Sequence, residues 1–150
     1  MRIVAVDPDA RGFAWAVAVD GVVVRAGRGA TRAALKAVGP AKGDKWTLEA
    51  PVNYERFGVA HRDLDRLRAV LRSVEAAVRK AGGTARRVRP AAWKGNVPKA
   101  VHHARVRAAL APEEVAVAYP GGKYDHNVLD AVALALWALG RLGRGGTDVG

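Results

Sequence analysis

The chain has 150 residues, a common size for one domain and enough to bury a core without disulfides or structural metals. Its formal net charge of +11 favours a polyanionic partner such as nucleic acid, although Arg-rich chains are also typical of GC-rich genomes. The absence of cysteine excludes disulfides and thiolate metal sites or nucleophiles. No signal-peptide pattern and no membrane-spanning segment is evident, so we expect a cytoplasmic protein without a membrane partner.

The first half of the sequence predicts an antiparallel meander followed by a helix and a strand. In order, these elements are strands over 2–6, 13–19 and 22–25, a helix over 31–38 and a strand over 45–49. The dipeptide Asp20-Gly21 favours a type I′ turn between the second and third strands. Residues 51–61 are rich in Gly, Pro and Asn, which indicates a loop directly after Glu49.

The second half alternates further helices and strands. We predict helices over 62–81, 99–110 and 126–142, a strand over 85–89 and a short strand over 115–119. Strands that alternate with helices after a meander indicate an α/β domain, with a mixed sheet and helices on both faces. We therefore expect one domain over 1–142 and a flexible Gly-rich tail over 143–150.

One buried charge points to a functional site. Asp130 is the only charged residue between Val128 and Leu139, and an ionised carboxylate in an apolar helix needs a cation or strong donors. Asp7 and Glu49 each end a hydrophobic segment far away in the chain. Three such acids are typical of ligands that converge on a divalent metal, and salt bridges to arginine are the structural alternative.

Three blocks, in order, carry a family resemblance. They are Ile3-Val4-Ala5-Val6-Asp7-Pro8-Asp9 with the following Gly12–Val17, then Leu48-Glu49, and finally Asp130-Ala131-Val132-Ala133-Leu134-Ala135. The set resembles the RuvC family of Holliday junction resolvases. The resemblance implies an RNase H-like fold with a mixed five-stranded sheet. It also implies a homodimeric, structure-specific endodeoxyribonuclease that makes paired symmetric nicks in four-way DNA junctions during recombination and repair.

The resemblance also implies the metal site. Asp7, Glu49 and Asp130 match the family's acids, which hold Mg²⁺, with Mn²⁺ as a substitute, as a pair of ions per subunit. The family's further ligand, Asp or His, lies three residues before the last acid, where this chain has Asn127. His126 is the other candidate, because residues three and four positions before Asp130 share its helical face. Asp125 is predicted to cap this helix.

The family implies further residues that contact DNA. Lys94 and Lys99 fall where the family keeps lysines near the scissile phosphate, and we expect Lys94 to be catalytic. The position of the family's aromatic wedge is Val52 here, so Tyr54 or Phe57 is the candidate for that task. The candidate backbone contacts include Arg56 and Arg105.

His102-His103 is expected to face DNA or to be structural, and Asp9 either adds an acid near the metals or only forms a turn.

Two other functions remain open from the sequence. One is an RNase H-like nuclease of the YqgF type, which acts on RNA or on other branched DNA. The other is a non-catalytic protein that binds junctions and whose acids form salt bridges.

Overall fold

The centre of the fold is a mixed five-stranded sheet, in a computed structural model that describes residues 1–51, 61–95 and 97–143. The strands are β1 Arg2–Pro8, β2 Gly12–Val19, β3 Val22–Ala30, β4 Lys45–Glu49 and β5 Thr84–Val88. Their order is β3-β2-β1-β4-β5, in which β2 is antiparallel to β1 and β3, while β1, β4 and β5 are parallel. The predicted mixed five-stranded sheet is therefore confirmed.

Helices cover both faces of this sheet. They are α1 Thr31–Val38, α2 His61–Lys80, α3 Pro90–Trp93, α4 Lys99–Ala109, α5 Pro112–Ala118 and α6 His126–Ala138. One core lies between the sheet and α1 and α2, and the other lies between the sheet and α4, α5 and α6. Within the described ranges, no helix has the length and apolar character needed to cross a bilayer. The predicted tail lies outside the described residues, apart from Gly143.

The hairpin between β2 and β3 follows from its turn residues. Asp20 has a φ of 50° and Gly21 a φ of 86°, so both central residues adopt the positive φ that a type I′ turn requires. This turn matches the right-handed twist of the flanking strands. The prediction made from the Asp20-Gly21 dipeptide is confirmed.

Helix α6 is apolar on all sides because protein surrounds it. Residues 128–136 are all buried, and the helix packs against β1, β2 and β3 as well as α4 and α5. Asp125 caps its start by accepting hydrogen bonds from the backbone N–H groups of Asn127 and Val128, as predicted. The predicted end at residue 142 is wrong, since the helix ends at Ala138 and Gly140 follows with a φ of 75°.

The predicted strand over 115–119 is also wrong, because residues 112–118 form helix α5. A short apolar run is compatible with either a strand or a buried helix. Here the start of the segment favours the helix. Pro112 occupies the first turn, and Glu114 accepts a hydrogen bond from the backbone N–H of Ala111 at 2.8 Å.

Glu114 also joins α5 to the end of the chain. Its carboxylate is fully buried and accepts two hydrogen bonds of 2.6 Å from Arg141 and one of 2.7 Å from the backbone N–H of Val23. Arg141 donates further hydrogen bonds to the carbonyl oxygens of Gly21 and Ala109, each at 3.0 Å. The hydrogen bonds from Arg141 and the backbone lower the pKa of Glu114 to about 2.

We expect Glu114→Gln to destabilise the protein at pH 7 by about 3 kcal/mol. The pKa of Glu114 falls from an ordinary 4.5 to about 2 on folding, so the ionised carboxylate stabilises the folded state. That contribution is complete above pH 4.5 and is lost as the pH falls towards 2. Urea unfolding across this pH range measures it. Glu113→Gln, an exposed neighbour, is the control. Equal stability of the two variants at pH 7 would contradict the assignment.

Candidate active site

The alternation of side chains along β1 and β4 places two acids on one face of the sheet. Val4 and Val6 pack in the core under α1 and α2, so Asp7 points to the opposite face. Trp46 and Leu48 pack in that same core, so Glu49 also points to the opposite face. The parallel register pairs Val6 with Leu48, and Asp7 and Glu49 are the next residues along. The two carboxylates therefore lie side by side at the ends of adjacent strands.

Helix α6 adds the third acid to this edge. It covers the face on which Asp7 and Glu49 lie, and it carries Asp130 in its second turn. Burial, and then the charges of Glu49 and Asp130, raise the pKa of Asp7 well above its usual range. The structure thus brings together the three acids that the sequence singled out. Their mutual repulsion favours a cation between them.

Lys94 supplies one cation to this cluster. Its ammonium nitrogen lies 3.1 Å from Oε2 of Glu49 and donates a hydrogen bond of 3.3 Å to Oε1. The contact with Oε2 is electrostatic, because that buried oxygen accepts no hydrogen bond from the described residues. Burial opposes the charge of Lys94, but Glu49 and Asp130 outweigh it and raise the pKa of the ammonium. Burial also raises the pKa of Glu49, and the charge and hydrogen bond of Lys94 partly offset this rise.

Short helix α3 holds Lys94 in position. Trp93 is fully buried at the end of this helix, and the ammonium of Lys94 lies 5.0 Å from the centre of the indole ring. A cation over an aromatic face is attracted by the ring quadrupole. Lys94 is therefore fixed between an indole and a carboxylate.

The residue that contacts Asp130 was not predicted from the sequence. Nε2 of His103, on α4, lies 3.0 Å from Oδ1 of Asp130. Neither predicted candidate forms a hydrogen bond to Asp130 among the described residues, and His126 is exposed while Asn127 is half-buried. His102 and His103 are both buried, which agrees with the structural one of the two roles expected for the pair. The two adjacent histidines on a predicted helix were the only hint of this contact in the sequence, which does not show that their helix packs against α6.

A pocket of about 260 Å³ opens beside Asp130. Its lining residues are Lys94, Gly95, Val97, Lys99, His102 and Asp130. It combines two lysines with one of the three acids, which suits a phosphate placed next to the acidic cluster. A larger pocket of about 670 Å³ lies at the opposite edge of the sheet, among the starts of β1, β4 and β5, and contains none of the three acids.

The other predicted residues are placed as follows. Lys99 is exposed at the start of α4, and Arg105, on the same helix, is half-buried with an Nη1 that makes no hydrogen bond to the described residues. Asp9 forms a turn, since its Oδ1 accepts hydrogen bonds of 2.8 Å from the backbone N–H groups of Arg11 and Gly12. The predicted DNA contacts Tyr54, Arg56 and Phe57 lie outside the described residues.

The chemistry of the donor set fits a hard divalent cation. Carboxylate oxygens are the ligands that Mg²⁺ prefers, and burial, followed by the charges of Glu49 and Asp130, raises the pKa of Asp7. Within 1–51, 61–95 and 97–143, however, no three His, Asp or Glu side chains are grouped closely enough to hold a metal as they stand. Glu49 is engaged by Lys94 and Asp130 by His103. A metal would therefore compete with Lys94 for Glu49.

The sheet order, the antiparallel second strand and the helices on both faces define an RNase H-like fold. The chain is similar to a solved structure of T. thermophilus RuvC in complex with Holliday junction substrate, with 20% identity and a TM-score of 0.49. The similarity covers 91% of this chain and 90% of that chain. No protein-family model and no curated protein matches the sequence.

We expect the imidazole of His102 to remain neutral at pH 7. Its ring is buried, and this burial, followed by the charges of Lys94 and other nearby cationic groups, lowers its pKa to about 4, although Asp130 opposes the shift. The folded state then loses stability as the pH falls from 6.5 towards 4, because the unfolded chain takes up the proton first. NMR titration of the ring protons, assigned with His102→Gln, measures this pKa. A midpoint near 6.5 would contradict the buried, neutral ring.

Proposed function

We propose that this protein is a metal-dependent endonuclease that cuts four-way DNA junctions by paired symmetric nicks, in DNA recombination and repair. The observation that carries the proposal is the convergence of Asp7, Glu49 and Asp130 at one edge of an RNase H-like sheet. Such carboxylates provide hard oxygen ligands for Mg²⁺ or Mn²⁺. When bound, a pair of these ions would activate water and stabilise the leaving oxygen of a phosphodiester.

In this proposal, the residues of the chain have separate tasks. Asp7, Glu49 and Asp130 would hold the cations. The packing of β1, β4 and α6 against one another sets the spacing of their carboxylates. Lys94 and Lys99 hold the phosphate in the pocket beside Asp130. The raised pKa of Lys94 keeps its ammonium charged, so that it offsets negative charge as the phosphodiester is cleaved.

The overall charge supports nucleic acid as the substrate. A formal net charge of +11 attracts a polyanion and accelerates its association, and the contribution from phosphate contacts falls with salt. A four-way junction is two-fold symmetric, so a homodimer with one site per subunit would match its paired cleavage positions.

Asp7→Asn should lower the rate of junction cleavage by a factor on the order of 10²–10³, the range found when one charge-stabilising group is removed from an active site. Junction binding should be unchanged or tighter, because the substitution removes a negative charge near the phosphates. Cleavage of end-labelled four-way junctions in Mg²⁺ and a gel-shift assay without metal measure the two effects.

Asp65→Asn is the matched control, since it makes the same charge change at an exposed site on α2. It should cut at the wild-type rate. Cleavage by Asp7→Asn at the rate of this control would refute the assignment of the acidic cluster. Flap and RNA-containing substrates, tested in parallel, separate a junction resolvase from a YqgF-type nuclease.

A specific observation favours a second function, that of a non-catalytic protein that binds junctions. Two of the three acids already have partners, Glu49 with Lys94 and Asp130 with His103. A salt bridge to Lys94 and a hydrogen bond to His103 would satisfy these two carboxylates without metal. Tight junction binding with no strand scission in either Mg²⁺ or Mn²⁺ would identify this function.

A further inference from the structure

His103 links Asp130 to the protein surface. Its Nε2 lies 3.0 Å from Oδ1 of Asp130, and its Nδ1 lies 2.6 Å from the hydroxyl oxygen of Tyr124. His103 is 8% exposed and Asp130 9%, whereas Tyr124 is 59% exposed. Both ring nitrogens of His103 are therefore engaged, one by the buried acid and one by a phenol at the surface.

The hydrogen-bonding capacities of these groups fix the proton on the ring. An ionised Asp130 can only accept, so Nε2 of His103 carries a proton and donates it. In the neutral imidazole Nδ1 is then an acceptor, and the hydroxyl of Tyr124 donates to it. A protonated Nε2 has no lone pair for a metal. In this arrangement, His103 contacts the acid rather than a cation.

This chain has Asn127 at the position of the family's further ligand, Asp or His, and His103 contacts Asp130 from a different helix. Asn127 is half-buried one turn before Asp130, and it carries no charge with which to hold a cation. In the part of the chain that the structure describes, His103 is the one side chain that hydrogen bonds to Asp130. Its bond uses Oδ1 and leaves Oδ2 without a hydrogen bond to the described residues.

We propose that His103, oriented by Tyr124, is the positioning residue of the metal site. It fixes the rotamer of Asp130 so that Oδ2 is available to the cation. This role rests on the proposed function, since it presupposes a metal at the acidic cluster. Outer partners of metal-binding carboxylates typically change metal affinity by 10–100-fold when they are removed.

The test is a Mn²⁺ titration of the full-length protein without DNA, followed by the EPR signal of free Mn²⁺. His103→Ala should weaken Mn²⁺ binding on the order of 10-fold or more. Tyr124→Phe should weaken it by a smaller factor, because the ring stays but loses the donor that fixes its proton. The double variant should bind like His103→Ala, since Tyr124 acts only through the ring.

Tyr119→Phe is the matched control, because it also removes one hydroxyl but from a tyrosine that packs under Arg107. Its Mn²⁺ affinity should equal that of the wild type. His103→Gln, which retains a donor near the position of Nε2, should recover most of the affinity. Thermal unfolding of each variant without metal separates a loss of fold from a loss of affinity. If His103→Ala does not fold, the Mn²⁺ affinity of the surface variant Tyr124→Phe still tests the role of His103.

Unchanged Mn²⁺ affinity in folded His103→Ala, or in Tyr124→Phe when only the latter folds, would overturn the inference and leave the proposed function intact. A nitrogen coupling in pulsed EPR of the bound Mn²⁺ that disappears in His103→Ala would also overturn it, since His103 would then be a ligand. A wild-type protein that binds no Mn²⁺ would overturn both the proposed function and this inference.

Discussion

The packing of α6 against the sheet is the constraint on which the rest of the molecule depends. Leu129, Leu134 and Leu136 are fully buried in this layer, and each contributes roughly 1.5–3 kcal/mol. Together they are comparable to the several kcal/mol that burial of a charged carboxylate costs. The helix can therefore carry Asp130 into the core. The same packing places Asp130 on the sheet face to which the alternation of β1 and β4 directs Asp7 and Glu49.

The sequence predicted those elements whose signals are local. The β2–β3 turn is set by Asp20-Gly21, and α1 and α2 follow from helical spacing and the glycines that close them. Residues 115–119 were predicted wrongly because a short apolar run does not distinguish a strand from a buried helix. The turn before it, with Pro112 and Glu114, decides the outcome. The end of α6 was placed too late because Leu139 and Leu142 continue the apolar pattern beyond the last helical turn.

The residues of the candidate site could be singled out from the sequence where a charged residue lies in an apolar segment. Asp130 in an apolar helix, and Asp7 and Glu49 at the ends of hydrophobic strands, could be recognised without a structure. The contact of His103 with Asp130 could not, because it joins two helices through residues that are 27 positions apart. Only the packing of α4 on α6 brings them together. For the same reason the sequence placed Lys94 near a phosphate but did not reveal its pairing with Glu49.

Arg141 has a consequence for the order in which the protein can form during synthesis. Its guanidinium binds Gly21 in the β2–β3 turn, Ala109 at the end of α4 and Glu114 in α5, so one side chain joins three distant segments. Helix α6, which fills the core on this side of the sheet, directly precedes it. A nascent chain that ends before residue 141 keeps the apolar packing of α4 and α5 in this core, but it lacks the guanidinium that binds the buried carboxylate of Glu114. The buried carboxylate of Glu114 therefore has no cationic partner from Arg141 until that residue has left the ribosome.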